Sequence, residues 1–213
     1  IVLQAALADA APAPAPERRP ALERVWRSAR VSSAIAQMIG QEFALPRPSV
    51  LSTGALFANL GDVAIASQRA DLDRFYGGGS TLLARVDAQQ DALGANTFIV
   101  GAVLARYWDL PAPLATSIEQ AGLPLATPPV RHPLQGEALT ANLIVYTACR
   151  VGDAVAYQGL RQIDELVLQD SNEPDLYYLE VSLRSAGLAR LLGLFEEPGF
   201  RRKANRLIGM LSS

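Results

Sequence analysis

The chain has one cysteine (Cys149), one histidine (His132) and, among its 19 basic residues, one lysine (Lys203). A single cysteine excludes an internal disulfide and a thiolate cluster for zinc. Its place in the apolar run Leu143–Cys149 reads as a buried, inert thiol. A single histidine leaves Ser-His-Asp catalysis dependent on Arg131-His132-Pro133, a proline-flanked loop, and no Gly-x-Ser-x-Gly elbow presents a serine. Strand signals are scarce, with no sustained alternation of apolar and polar residues and no Asn-Gly or Asp-Gly hairpin turn. No run approaches the roughly 18 consecutive apolar residues of a membrane-spanning helix. Charge is also short of either sign: 19 basic against 21 acidic residues leave −2, so no strong field draws nucleic acid or anionic lipid.

What is present is alanine, leucine and helical periodicity. The 213 residues are half hydrophobic, enough for a core without staples. Asp9–Pro20 alternates alanine with proline and reads as an extended connector after a helix tail at Ile1–Ala8. A long helix is expected from Ala21 to about Phe43, with Leu22, Val25, Ala29, Ala36 and Ile39 on one face. A second, apolar nearly all round, is expected from about Val50 to Ser67. Phe75–Thr81 reads as a flexible break. The next helix covers Thr97–Tyr107, where Gly101, Ala102 and Ala105 let a neighbour come close, and Asp109-Leu110-Pro111 stops it. Further helices are expected to about Gln120, over Glu137–Val151, at Leu160–Val167, after Asn172-Glu173-Pro174, and from Pro198 with Phe200, Ala204, Leu207, Ile208 and Leu211 inward.

Several features invite a chemical reading that their context does not support. Gly77-Gly78-Gly79-Ser80-Thr81 lacks the lysine of a phosphate loop and reads as a linker. Glu196-Glu197 and the acids at Asp62, Asp71 and Asp73 read as helix ends and solvated surface. Arg201, Arg202, Lys203 and Arg206 make one side of the last helix basic, a solvated face by default. Trp26 and Trp108 read as core.

Five segments in order carry a resemblance. They are Trp26-Arg27-Ser28; Ala55-Leu56-Phe57-Ala58-Asn59-Leu60-Gly61; Thr97-Phe98-Ile99-Val100-Gly101-Ala102; Trp108-Asp109-Leu110-Pro111; and Ile118-Glu119-Gln120-Ala121-Gly122. The chain resembles the HDOD domain, the signalling branch of the HD phosphohydrolase superfamily. The resemblance covers about Ile1–Val151, with the domain's earlier helices expected N-terminal to Ile1. It implies an all-α, multi-helix bundle, with residues 1–152 as the domain and 153–213 as a helical extension packed on it.

At the positions where the family places metal-binding groups, the sequence has Ser28, Ala58 and Thr97 for histidines, Asn59 for the aspartate, and Ala121-Gly122 for a histidine pair. Ala58 has no donor atom, and Ser28, Asn59 and Thr97 are neutral and poor ligands for a transition metal. The resemblance therefore implies no catalytic, metal or cofactor-binding residues and no cofactor. It implies a bacterial, cytoplasmic, regulatory pseudoenzyme that acts on other signalling proteins. Neither membrane nor nucleic acid is expected as a partner, and a homodimer is allowed. The alternative is a phosphohydrolase or phosphodiesterase holding Mg²⁺ or Mn²⁺ through carboxylates, with Asp62 and a second acid facing Asn59 across a cleft. In the pseudoenzyme reading the old cleft is filled or narrowed.

Overall fold

A computed structural model describes residues 16–170 and 172–212. The helix expected at Ile1–Ala8 and most of the alanine-proline connector lie outside them. Every regular element among the described residues is helical. The chain runs through α1 (Arg19–Glu42), α2 (Pro48–Phe57), α3 (Leu60–Gln68), α4 (Leu82–Leu93), α5 (Thr97–Tyr107), α6 (Ala112–Gln120), α7 (Leu123–Ala126), α8 (Gly136–Tyr157), α9 (Leu179–Ser185), α10 (Arg190–Leu194) and α11 (Pro198–Ser212). Pro20 lies inside the first turn of α1, where its missing N–H is not needed.

Two long helices form the spine. α1 packs along α8, and α2 packs against both. Gly152 is what lets α1 and α8 touch, since a Cβ there would lie 2.1 Å from Ser32 Oγ and 2.4 Å from the Ser28 carbonyl oxygen. A second layer stacks α3 on α5 and α5 on α6. Here Gly61 meets the first turn of α5, and Gly101 faces Gly61 in return. Gly101, Ala102 and Ala105 are buried, so the small-residue stripe sits against a helix neighbour, as its spacing predicts.

The apolar core is continuous with the C-terminal third. One cluster joins Ile35 and Ile39 of α1, Ile144 and Val151 of α8, and Leu183, Leu191, Phe200 and Ile208 beyond them. α8 runs unbroken through Gly152 and Asp153 to Tyr157.

Three expectations are corrected, and one helix is new. The single helix over Val50–Ser67 is two, because the backbone turns at Ala58–Asn59, where Asn59 Nδ2 donates to the Ala55 carbonyl. The Pro48–Gln68 stretch has the length and mean hydropathy (1.3) of a membrane span, but 61% of its most apolar window is buried inside the fold. The Gly77–Thr81 segment is an ordered turn rather than a flexible linker: the Gly79 amide donates to the Tyr157 carbonyl, and Thr81 caps α4. The helix expected at Leu160–Val167 is a single 3-10 turn, Ile163–Glu165, whose first amide is held by Asn205. Finally, α4 itself has no counterpart in the periodicity reading. Its inward stripe is Leu82, Arg85 and Gln89, so two of its three buried residues are polar.

Candidate functional site

Ala58, Asn59, Thr97 and Ala121 line one small cleft, together with Asp62, Leu82, Arg85, Phe98, Tyr146, Cys149, Arg150 and Asp153. Ser28 reaches the same place from α1, within 3.4 Å of Asn59 Oδ1 and 2.6 Å from Asp153 Oδ1. The positions singled out by the resemblance therefore converge. Gly122 does not contribute a group, since it packs under the Phe98 ring. His132 lies outside the cleft, its Nδ1 accepting from the Leu134 amide. Trp26 and Trp108 are half-buried against apolar clusters. Lys203 pairs with Glu42 at the surface.

The centre of the cleft is occupied by an arginine. Arg85 is 1% exposed. Its Nη2 lies 2.5 Å from Asp153 Oδ2, and its Nε lies 3.9 Å from Asp62 Oδ2. The Tyr157 ring lies 4.3 Å from its guanidinium carbon. Burial opposes the charge, and Asp153, Tyr157 and Asp62 more than offset it, so the guanidinium stays protonated. What remains is a cavity of about 20 Å³, room for about one water molecule.

A second guanidinium extends the network. Arg150 bonds Asp153 Oδ2 at 3.1 Å and Asp175 Oδ2 at 3.1 Å. Asp175 in turn accepts from the Leu82 and Leu83 amides at 2.6 and 2.8 Å, at the positive end of α4. The circuit thus closes: α4 to Asp175, to Arg150, to Asp153, to Arg85, and back to α4. On the other flank Gln89 donates to Asp62 Oδ1 and accepts from the Thr97 amide, while Tyr76 also donates to Asp62 Oδ1.

The two acids beside Arg85 are shifted in opposite directions. Burial is the largest influence on Asp62 and raises its pKa despite Arg85. Burial also acts against Asp153, but Arg85, Arg150 and the Ser28 hydroxyl bring it below the usual carboxylate range. Arg85 thus sits between one acid whose pKa burial pushes up and one that two cations and a hydroxyl hold down.

A divalent ion does not fit these residues. Among the described residues, no group of three or more His, Cys, Asp or Glu side chains is placed to hold a metal. The buried polar atoms left without hydrogen-bond partners around the cleft are Arg85 Nε and Nη1, Arg150 Nε and Thr97 Oγ1. Three of the four are N–H groups of cations, which repel a metal rather than bind it.

Cys149 is a thiol in the lining of the same cleft. Its Sγ lies 3.8 Å from the Ala55 carbonyl, and burial pushes the thiol up to about 12. At pH 8 a disulfide-exchange dye is expected to leave native Cys149 unmodified for as long as it takes to label the denatured chain completely. Rapid labelling of the folded protein would contradict the burial.

Sequence reasoning missed Arg85, Gln89, Tyr76, Asp153 and Asp175 as parts of this site. The caps of α4 were readable: Thr81 accepts from the Ala84 amide, and Gly94 closes the helix at φ 68°. A helix predicted from those caps has Arg85 and Gln89 one turn apart on one face.

Comparison with known proteins supplies one match. A family model described as HDOD domain matches residues 1–124, ending short of the 151 residues over which the motifs resemble that family. No curated protein and no solved structure matches the chain.

Proposed function

We propose, from the premise that this chain belongs to the HDOD family, an HD-superfamily domain of the signalling type, that it works by binding other proteins and not by turning over a phosphoester. The observation that carries this reading is the Arg85 guanidinium seated among the positions where a hydrolase of this scaffold would grip its metal. A phosphohydrolase needs an ion there to activate water and offset phosphate charge. Here the cleft has space for about one water molecule and offers no imidazole.

Binding needs surface rather than a cleft. α5 buries Thr97, Gly101, Ala102 and Ala105, while Ile99, Val103 and Tyr107 are exposed on successive turns of its other side. Tyr107 is 80% exposed. Tyrosine and aliphatic side chains in such a stripe suit a protein contact.

The carboxylate-metal hydrolase remains the second reading, because one observation favours it: Asp62 and Asp153 do converge beside Asn59. Against it, Arg85 stands between the two acids, where an ion would have to sit. A larger hollow of about 220 Å³ that also touches Arg150 and Asp153 is lined by Glu165, Asp170 and Glu173, which repel a phosphate ester.

One experiment separates the readings. The purified chain is assayed for bound metal by elemental analysis and for hydrolysis of phosphomonoesters, phosphodiesters and cyclic dinucleotides, with Mg²⁺ or Mn²⁺ added. The binding reading expects substoichiometric metal and no turnover. Stoichiometric metal with turnover, abolished by Asp62→Ala, would establish the hydrolase.

A further inference from the structure

We propose that Arg85 is the resident cation of this cleft: its guanidinium does the charge-neutralising and helix-tying work that a bound ion would do, so the site is complete without any ion from solution. The inference goes beyond the binding reading and stands whether or not a partner is found.

Asp62 and Asp153 come from α3 and α8 and are both nearly fully buried. Two buried carboxyl groups near each other need a cation, a proton, or both. Arg85 supplies that cation to both, with Nη2 2.5 Å from Asp153 Oδ2 and Nε 3.9 Å from Asp62 Oδ2. Arg85 comes from a third helix, α4, so one side chain draws α3, α4 and α8 together, the geometric role of a coordinated ion.

The remaining donors are spent in ways that suit a guanidinium. Ser28 Oγ donates to Asp153 Oδ1, and Tyr76 and Gln89 saturate Asp62 Oδ1. Tyr157 presents a ring to the flat face of Arg85, a contact suited to a delocalised planar cation. The inward Arg85 also explains why Ala58 and Ala121 are tolerated where ligands would face an ion: the carboxylates are already neutralised.

Removing the side chain leaves a cation-shaped space bounded by Asp62, Asp153, Asn59 and Tyr157, and a cation supplied from outside should fill it. The test uses the full chain and thermal melting. Arg85→Ala is expected to melt well below the wild type. Millimolar guanidinium chloride should raise its Tm saturably, while equal sodium chloride does not and the wild type does not respond. Mn²⁺ is the second probe, with the chelator EDTA as its control, and the wild type is expected to ignore both. A folded Arg85→Ala that responds to neither cation overturns the proposal, as does a wild type whose Tm falls on chelation.

Arg85→Lys and Arg85→Met decide the case in which the alanine variant does not fold. The two side chains are similar in length, and only lysine carries charge. A resident cation requires the lysine variant to fold and to melt above the methionine variant. If methionine serves as well as lysine, or if lysine fails to fold, the role is one of packing and the proposal is wrong.

Discussion

Asp153→Ala is expected to destabilise the protein by about 3–5 kcal/mol, the cost of stripping a buried cation of its partner. Among the described residues Asp153 is the one acid that touches both buried guanidinium groups, Arg85 at 2.5 Å and Arg150 at 3.1 Å, and it also receives the Ser28 hydroxyl. Its loss leaves Arg85 with only the more distant Asp62, 3.9 Å away. In urea the midpoint should fall by roughly 1–3 M, given an ordinary slope for a chain of this size. A shift of a few tenths would mean that water reaches the network and screens it.

Asp62→Asn is the contrasting change. The amide keeps an acceptor for Tyr76 and Gln89 and removes an acid whose pKa burial raises, so a cost of no more than about 1 kcal/mol is expected at pH 7. The two acids also have opposite pH dependence. Asp153, with its folded pKa lowered, contributes fully above the ordinary carboxylate pKa, and this is lost as pH falls through the folded value. Asp62, with its folded pKa raised, contributes fully below the ordinary carboxylate pKa, and this is lost as pH rises through the folded value. The asparagine cannot ionise, so Asp62→Asn should gain on the wild type as pH rises from about 4. A relative loss over that range would show that Asp62 is the charged partner.

Gly61→Ala should be nearly as damaging, at about 3 kcal/mol or more, which is the upper range for overpacking. A Cβ at Gly61 would stand 1.9 Å from the Thr97 carbonyl oxygen and 2.6 Å from its carbon. These are backbone atoms and cannot rotate away, so α5 must move. That movement would also break the Gln89 bridge to the Thr97 amide. Gly209→Ala in α11 is the control: nothing lies within 4 Å of its Cβ, so the substitution should stabilise by up to about 1 kcal/mol through helix propensity alone. Equal effects at the two glycines would refute the close approach.

The contrast between α5 and α4 shows how far the sequence reached. α5 was readable to the residue because its packing face is apolar and small and its end is marked by proline. α4 was not, because its buried face carries Arg85 and Gln89, and a search for apolar periodicity discards such a helix. The inward position of those two residues depends on Asp153, Asp175 and Asp62, which lie 68, 90 and 23 positions from Arg85 in the chain. No local pattern encodes a charge pair of that separation. The same limit applies to Asp153, where Gly152-Asp153 reads as a helix end until the partners of both residues are known: Ser28 and Ser32 for the glycine, two arginines for the acid. The convergence of Ser28, Ala58, Asn59 and Thr97 was legible, because family motifs preserve position even where they have lost chemistry.

The closed circuit through Asp175, Arg150, Asp153 and Arg85 bears on how the protein can be divided. The stretch that matches the family ends at residue 124, yet three of the four members of that circuit come later in the chain. A fragment cut there would contain a guanidinium stripped of every strong counter-ion and a helix start without its acid. A transplanted domain is therefore expected to need residues beyond 124, through Asp175, to keep this network whole.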